Sequence, residues 1–305
     1  MKKIRIMKKQ IVLTLFLVFV TMVANAQEKG LYLALFESFG ATTLGYTADT
    51  YVKSSFNLSN GTTIKTQYFF TRNWGVSIGV GFAFYKSEIH YNNTFTFKFM
   101  DDAPPTPCDL TLTLDNWKET QKSYFLEIPL MAMYQKKVEF LEKIGIYFGF
   151  GAKLQLPFLS NKYEVSQNSK LSVIGYYPDY DLTIDYSDDN RFGTDDTGDF
   201  KMKLGLSASV ELGILISLHK RCDLVLDTYV DYALLDMQGN NMETYLISLS
   251  TTDKLVRDRI QYNGLLNSAS VYKVKPWSVG AKVGVRVKLG KLRNHFEEKG
   301  VIEMF

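Results

Sequence analysis

Three histidines, His90, His219 and His295, are the only imidazole bases in the chain, and a hydrolase working near neutral pH commonly needs one beside a nucleophile. Ser87 and Glu88 lie close to His90 in sequence. Ser87 and His90 are three positions apart, so on a strand they face opposite ways and form no dyad unless the strand breaks. His90 therefore reads as an exposed rim histidine. No Ser-His-Asp or Cys-His grouping converges elsewhere, so no catalytic residue and no cofactor is assigned, and the chain reads as non-enzymatic.

Two sets of charges remain. Residues 159–200 carry eight aspartates, among them Asp188, Asp189, Asp195, Asp196 and Asp199, balanced only by Lys162, Lys170 and Arg191. Oxygen ligands spaced by glycine suit Ca2+, but the spacing is not that of an EF-hand, and a solvated acidic loop is the simpler reading. The second set lies inside apolar alternation: Lys65, Lys153, Lys282 and Arg286 on one side of the balance, Glu127, Glu211, Asp223, Asp227 and Asp231 on the other. Charges withdrawn from water need partners. These nine are expected to form an ion-pair network filling the interior of whatever holds them, rather than an ion-conducting path.

The elements that hold them are strands. In KMKLGLSASVELGILISL (residues 201–218) every even position is apolar, and every odd one except Leu215 is polar or small. A period of two marks a strand with two unlike faces. The same alternation runs through 74–85, 144–158 and 277–289, and less cleanly through 31–41, 62–71, 123–135 and 222–235. Eight strands are predicted. Their connections alternate: long at 42–61, 92–122, 159–200 and 236–276, short at 72–73, 136–143 and 219–221. A soluble sandwich has no reason to sort its loops this way, whereas outer-membrane barrels carry short turns at one rim and long loops at the other. Tyr124 and Tyr134 share a face ten residues apart, about 25 Å of vertical rise on a tilted strand, which matches an apolar band between aromatic girdles. The expected fold is an all-β, eight-stranded antiparallel up-and-down transmembrane barrel with long extracellular loops, lipid on the even face of 201–218 and a filled lumen on the odd face. Closure also satisfies every backbone group within hydrocarbon. Pro129 falls mid-strand, where proline removes a ladder donor, so a β-bulge is expected there with Pro129 facing the lumen. Segments 171–177 and 180–186 read as a hairpin above the membrane, and 94–99 with 109–114 as another.

The first residues are a basic cluster, an apolar run too short to span a bilayer and Ala24-Asn25-Ala26, the pattern of a signal peptide (1–26) cleaved before Gln27. Loss of its five basic residues takes Lys+Arg from 35 to 30 against 32 Asp+Glu. The net charge becomes −2, and no basic nucleic-acid footprint remains. Cys108 falls in a long loop and Cys222 at a short turn, on opposite sides of the bilayer, so no disulfide is expected between them.

The stretch YFLEIPLMAMY (residues 124–134), with Glu127-Ile128-Pro129-Leu130 its most specific part, and WGVSIGVGFAFYKSE before it resemble the PorT-like outer-membrane β-barrel family of Bacteroidota. The resemblance implies an OmpA/OmpX-type small barrel over residues 27–289 in a Gram-negative outer membrane, with both termini periplasmic. One departure from such barrels is KLRNHFEEKGVIEMF after Leu289, read as a short periplasmic tail (290–305). The expected function is display of long loops for adhesion or ligand binding. Outer-membrane lipid and lipopolysaccharide are the surroundings, and an unknown extracellular protein or glycan is the partner. An accessory part in outer-membrane protein secretion is the alternative, and a rim lipid hydrolase the third.

Overall fold

The computed structural model describes residues 30–48, 52–102, 105–138, 141, 143–187, 197–239, 245–249 and 260–289. The expected leader 1–26, the expected tail 290–305 with His295, and four of the five candidate calcium aspartates, Asp188, Asp189, Asp195 and Asp196, lie outside these. Eight long strands form the wall: β1 (Gly30–Thr43), β2 (Lys53–Phe69), β3 (Trp74–Asp102), β4 (Pro105–Lys137), β5 (Ile144–Pro157), β6 (Gly205–His219), β7 (Cys222–Ala233) and β8 (Trp277–Leu289). Each pairs antiparallel with the next, and β8 returns to β1 with Leu31 opposite Leu289 and Thr43 opposite Trp277. The sheet is a closed up-and-down barrel of eight strands.

Side-chain parity follows the sequence. On β6, Val210, Leu212 and Ile214 are exposed while Ser207, Ser209 and Glu211 are buried. Leu35, Ile64, Phe82, Leu130, Phe148, Val230 and Val283 continue the outer belt around the wall. Water would strongly disfavour so continuous a greasy surface, and hydrocarbon would not. Aromatic pairs bound it: Trp74 and Tyr134 at 5.0 Å on the turn side, Phe84 and Tyr124 at 5.1 Å on the loop side. Among the described residues no helix is long and apolar enough to cross a membrane; the crossing is made by strands. Leu215, the exception to the polar parity of β6, packs inside the turn-side end with Phe36, Met133, Tyr147 and Val225.

The strands differ from expectation in length. β6 begins at Gly205 rather than at residue 201, and Met202 makes only an isolated bridge with Gln238. The connection predicted at 42–61 is mostly strand, and the one predicted at 92–122 is almost wholly strand. There β3 and β4 run on as one hairpin to Asp102 opposite Pro105. The extension beyond Phe84 is 18 residues long, roughly 60 Å of extended chain. Within it the register shifts between Tyr91 and Asn93, leaving Asp115 and Asn116 opposite Asn92. Asn116 has φ +47°, and its N–H bonds the Asn92 Oδ1 at 2.8 Å. That β-bulge flips the parity of β4, so Trp117 and Glu119 below it and Leu114, Leu112 and Leu110 above it all face inward.

No bulge forms at Pro129. The register passes from Ile78 opposite Leu130 to Gly81 opposite Glu127 without a shift, and Pro129 stays opposite Lys153 on the β5 side. Two rungs simply lapse on the β3 side, where proline has no donor to give. Pro129 is buried, on the lumenal parity.

Outside the membrane the third connection builds a sheet on β4. Asn161–Val165 pairs with Glu119 to Lys122, Lys170–Tyr177 pairs with Asp109 to Asp115, and Leu182–Asp185 completes a hairpin with the latter. The fourth connection contributes the pair Ile247–Leu249 and Ile260–Tyr262, a 3-10 turn Leu265–Asn267, and Val271–Val274, which pairs with Tyr46–Ala48.

Candidate functional site

The lumen is filled from its middle outward. Glu211 on β6 takes both hydrogen bonds of Lys65 from β2 at 2.7 Å, a third from Lys282 on β8, and the Tyr147 hydroxyl at 3.2 Å. Tyr147 also donates to Asp227. Nearer the loop side, Lys153 meets Asp231 at 2.6 Å and Glu127 at 4.0 Å. Ser209 and Ser278 donate to Asp231, while Tyr85 and Gln155 donate to Glu127. Toward the turns, Arg286 donates to Asp223 at 2.8 Å and to Gln135 at 2.9 Å, and its guanidinium lies 4.5 Å from the Tyr32 ring. Lys282 lies 4.5 Å from the Tyr229 ring. All nine predicted charges thus point inward, in three groups: Lys65, Lys282, Glu211 and Asp227; Lys153, Glu127 and Asp231; Arg286 and Asp223. Room for the large rings comes from glycine. A Cβ at Gly213 would strike the Tyr147 ring and Asp227, and one at Gly284 the Phe36 ring.

Above the lumen sits an apolar cap. Leu44, Ile89, Trp117, Phe125, Met237, Leu265, Leu266, Val271 and Val274 form one buried cluster from the first and fourth connections and the β3–β4 hairpin. A polar string crosses it. Tyr46 bonds Ser87 at 3.2 Å and Gln121, Gln121 donates to Glu119 at 2.5 Å, and Tyr262 reaches both Glu119 and Tyr91. The Leu265 N–H closes on Glu119 at 3.0 Å. Burial pushes the Glu119 carboxyl above its ordinary value against the pull of those donors, and it pushes the Tyr262, Tyr91 and Tyr46 hydroxyls up as well. This string escaped the sequence reading. The signal is in the sequence, because Trp117, Glu119 and Gln121 continue the inward parity of Ser123 and Glu127, but the length of one membrane crossing ends the expected strand at Ser123.

Ser87 and His90 do face apart. Ser87 is in the cap, where it accepts from Leu44 N–H and Tyr46, while His90 lies outside, 3.7 Å from a Glu88 already held by Lys118 at 2.7 Å. Among the described residues no three His, Cys, Asp or Glu side chains gather as metal ligands. Asp199, the one described aspartate of the candidate calcium set, is exposed opposite Lys162. Cys108 is buried in the raised hairpin, Cys222 opens β7 at the turn side, and the two are not disulfide-bonded.

A closed ring of eight strands, greasy outside, charged and filled within, is a transmembrane barrel of the outer-membrane type. Residues 25–239 match the outer membrane protein beta-barrel domain family, and the chain belongs to it. It is an outer-membrane protein. No curated protein matches its sequence. Similar solved structures include Neisserial surface protein A (12% identity, 85% of this chain and 97% of that one, TM-score 0.33). OprG from Pseudomonas aeruginosa is similar at 11% identity, over 86% and 98%, with a TM-score of 0.36. The attachment invasion locus protein Ail of Yersinia pestis, solved with the heparin analogue sucrose octasulfate, is similar at 13% identity over 84% and 99%, TM-score 0.23.

Proposed function

We propose that this protein is a non-enzymatic surface receptor or adhesin: a plugged barrel that holds a raised β-platform in place to bind an extracellular protein or glycan. The observation that carries this is the platform itself. β4 continues out of the membrane as one strand with a single bulge at Asn116, and the hairpin Lys170–Tyr177 with Leu182–Asp185 is bonded to that continuation residue by residue. Ile174 and Tyr176 are exposed on its outer face, and Tyr180 and Leu182 are exposed at its tip, aromatic and aliphatic anchors of the kind that make contact surfaces. A buried cap beneath it limits the ordering cost of binding. Within this reading 1–26 is a cleaved leader, 290–305 a tail, both termini are periplasmic, and the platform faces outward beside lipopolysaccharide. The Glu127-Ile128-Pro129-Leu130 strand supports placement near the PorT-like barrels.

The test removes residues 168–187, which leaves Asn161–Val165 and Thr197–Phe200 paired. Cells displaying the intact chain should bind at least one protein or glycan on an array. The shortened chain should lose that binding while keeping the heat-modifiable gel mobility of an inserted barrel. Binding that survives the deletion, or an intact chain that binds nothing, would sink the proposal.

A further inference from the structure

The lumen is closed by the cap on the loop side and open on the turn side, where the ring ends in a cavity of about 760 Å³. Its inner surface is the last layer of the lumen: Tyr32, Phe69, Gln135 and Arg286, with Asp223 and Leu215. Its rim is basic. Arg72, Lys137, Lys143, Lys220, Arg221 and Lys288 come from three short turns and the end of β8, and all six are exposed. Among the described residues eight lysines and arginines line the cavity, against the one carboxylate of Asp223. Among the described residues only Arg286 of the eight is ion-paired, and it is the one Asp223 holds. Glu139 and Glu142 of the 136–143 turn lie outside the described residues.

The backbone fixes these cations around one opening. Gln135 N–H bonds the Asn73 carbonyl at 2.8 Å, Ser217 N–H bonds the Lys143 carbonyl at 2.8 Å, and Lys288 N–H bonds the Arg221 carbonyl at 2.8 Å. Each short turn is thereby tied to the neighbouring hairpin. Like charges held around a recess repel one another and raise its potential, which attracts an anion. Arginine forks and lysine points together suit phosphate oxygens.

We propose that the turn-side mouth is a binding site for a compact soluble anion carrying several phosphates. The site is blind, because the Lys65–Glu211–Lys282 group fills the lumen above it, so it retains the anion and does not pass it. Its ligand enters from the aqueous side opposite the raised platform, which makes the site independent of the platform's binding role. The recess lies inside the ring, where a headgroup could reach only if its acyl chains left the outer belt.

Inorganic tripolyphosphate is the probe, titrated calorimetrically into the full barrel held in nanodiscs of zwitterionic lipid. The triple variant Lys137→Gln, Lys143→Gln, Arg221→Gln removes three exposed rim charges and should weaken binding by roughly tenfold or more, since a focused field is lost with its sources. Wild-type affinity should fall with added salt as the Debye length shortens. A loop-side double variant, Lys162→Gln with Lys170→Gln, should bind as the wild type does. A second arm uses nanodiscs containing phosphatidylglycerol. Tripolyphosphate binding in zwitterionic discs that the triple variant loses supports the site. The proposal is overturned if tripolyphosphate fails to bind, if the triple variant binds equally well, or if the three substitutions alter only enrichment of the anionic lipid.

Discussion

Glu211 is the residue on which the lumen turns, because two lysines from the strands on either side of β1, Lys65 and Lys282, close on one carboxylate. All three side chains are almost fully buried. A buried pair contributes little net stability over an apolar replacement of the same shape, but losing one partner strands a charge. Glu211→Gln should therefore destabilise the barrel by about 3–5 kcal/mol, read as a lower urea midpoint for unfolding from lipid vesicles. Replacing the whole group with Lys65→Met, Glu211→Leu, Asp227→Leu and Lys282→Met should cost less than the single change; a larger cost would show that the ions themselves hold the barrel. The opposite face makes a complementary demand. Leu212, next to Glu211, is 59% exposed at the level of Phe148 and Thr228. Leu212→Arg should cost about 2–4 kcal/mol near the bilayer midplane in the same measurement. A neutral outcome would mean that the even face of β6 does not meet hydrocarbon.

At the scale of elements, the cap joins three pieces of chain through Glu119. Tyr262 and the Leu265 N–H come from the fourth connection, Gln121 from β4 itself, and Tyr91 from β3 by way of Tyr262. Because burial raises the Glu119 carboxyl above its unfolded value, the folded cap binds a proton that the unfolded segment releases. Stability is then greatest below about pH 4.5 and declines as pH rises through the raised native value. The facing hydroxyls of Tyr46, Tyr91 and Tyr262 are all pushed up from an already high value, so they stay neutral in that window. Hydrogen exchange of residues 260–267 should accelerate as pH is raised from 4 to 7, after correction for intrinsic exchange, and Glu119→Gln should flatten the trend. A trend unchanged in the variant would assign the effect elsewhere. The bulge beneath the hairpin tip offers a second handle. Asn116 sits at φ +47°, so Asn116→Gly should be tolerated, while Asn116→Val should cost about 1–2 kcal/mol of hairpin stability, measurable by limited proteolysis of the platform. The wall was legible in the sequence because its dyad alternation is imposed by two unlike surroundings, lipid and lumen. The cap was not: Leu110, Leu112 and Leu114 alternate as strictly as any wall strand, but the bulge at Asn116 inverts their phase relative to Trp117, and no local signal marks it. Pro129 misled in the other direction, since a closed ring of strands can drop two rungs without a bulge when the register is held on both sides.

The whole molecule has one closed end and one open one. Its seal has two layers in series: the apolar cap of Leu44, Trp117, Met237 and Leu265 above, and below it the charged layers around Glu211 and Asp231. The nine charged residues were readable individually from parity. Their three groupings depend on stagger between strands that are far apart in sequence, such as Lys65 reaching Glu211 across 146 positions, and only the closed ring sets that. An eight-stranded barrel has an interior just wide enough for side chains to fill, so the layers suffice to block it without any loop. This predicts a hierarchy in planar bilayers. The intact protein should insert without conductance steps, and deleting residues 245–267, which removes Leu265 and Leu266 from the cap, should also leave it silent because the Lys65–Glu211–Lys282 group still spans the lumen. Conductance should appear only when that group and the Lys153–Asp231 pair are both cut back to alanine. Steps from the intact chain would mean that the lumen is a pathway, and steps from the cap deletion alone would move the seal from the charges to the cap.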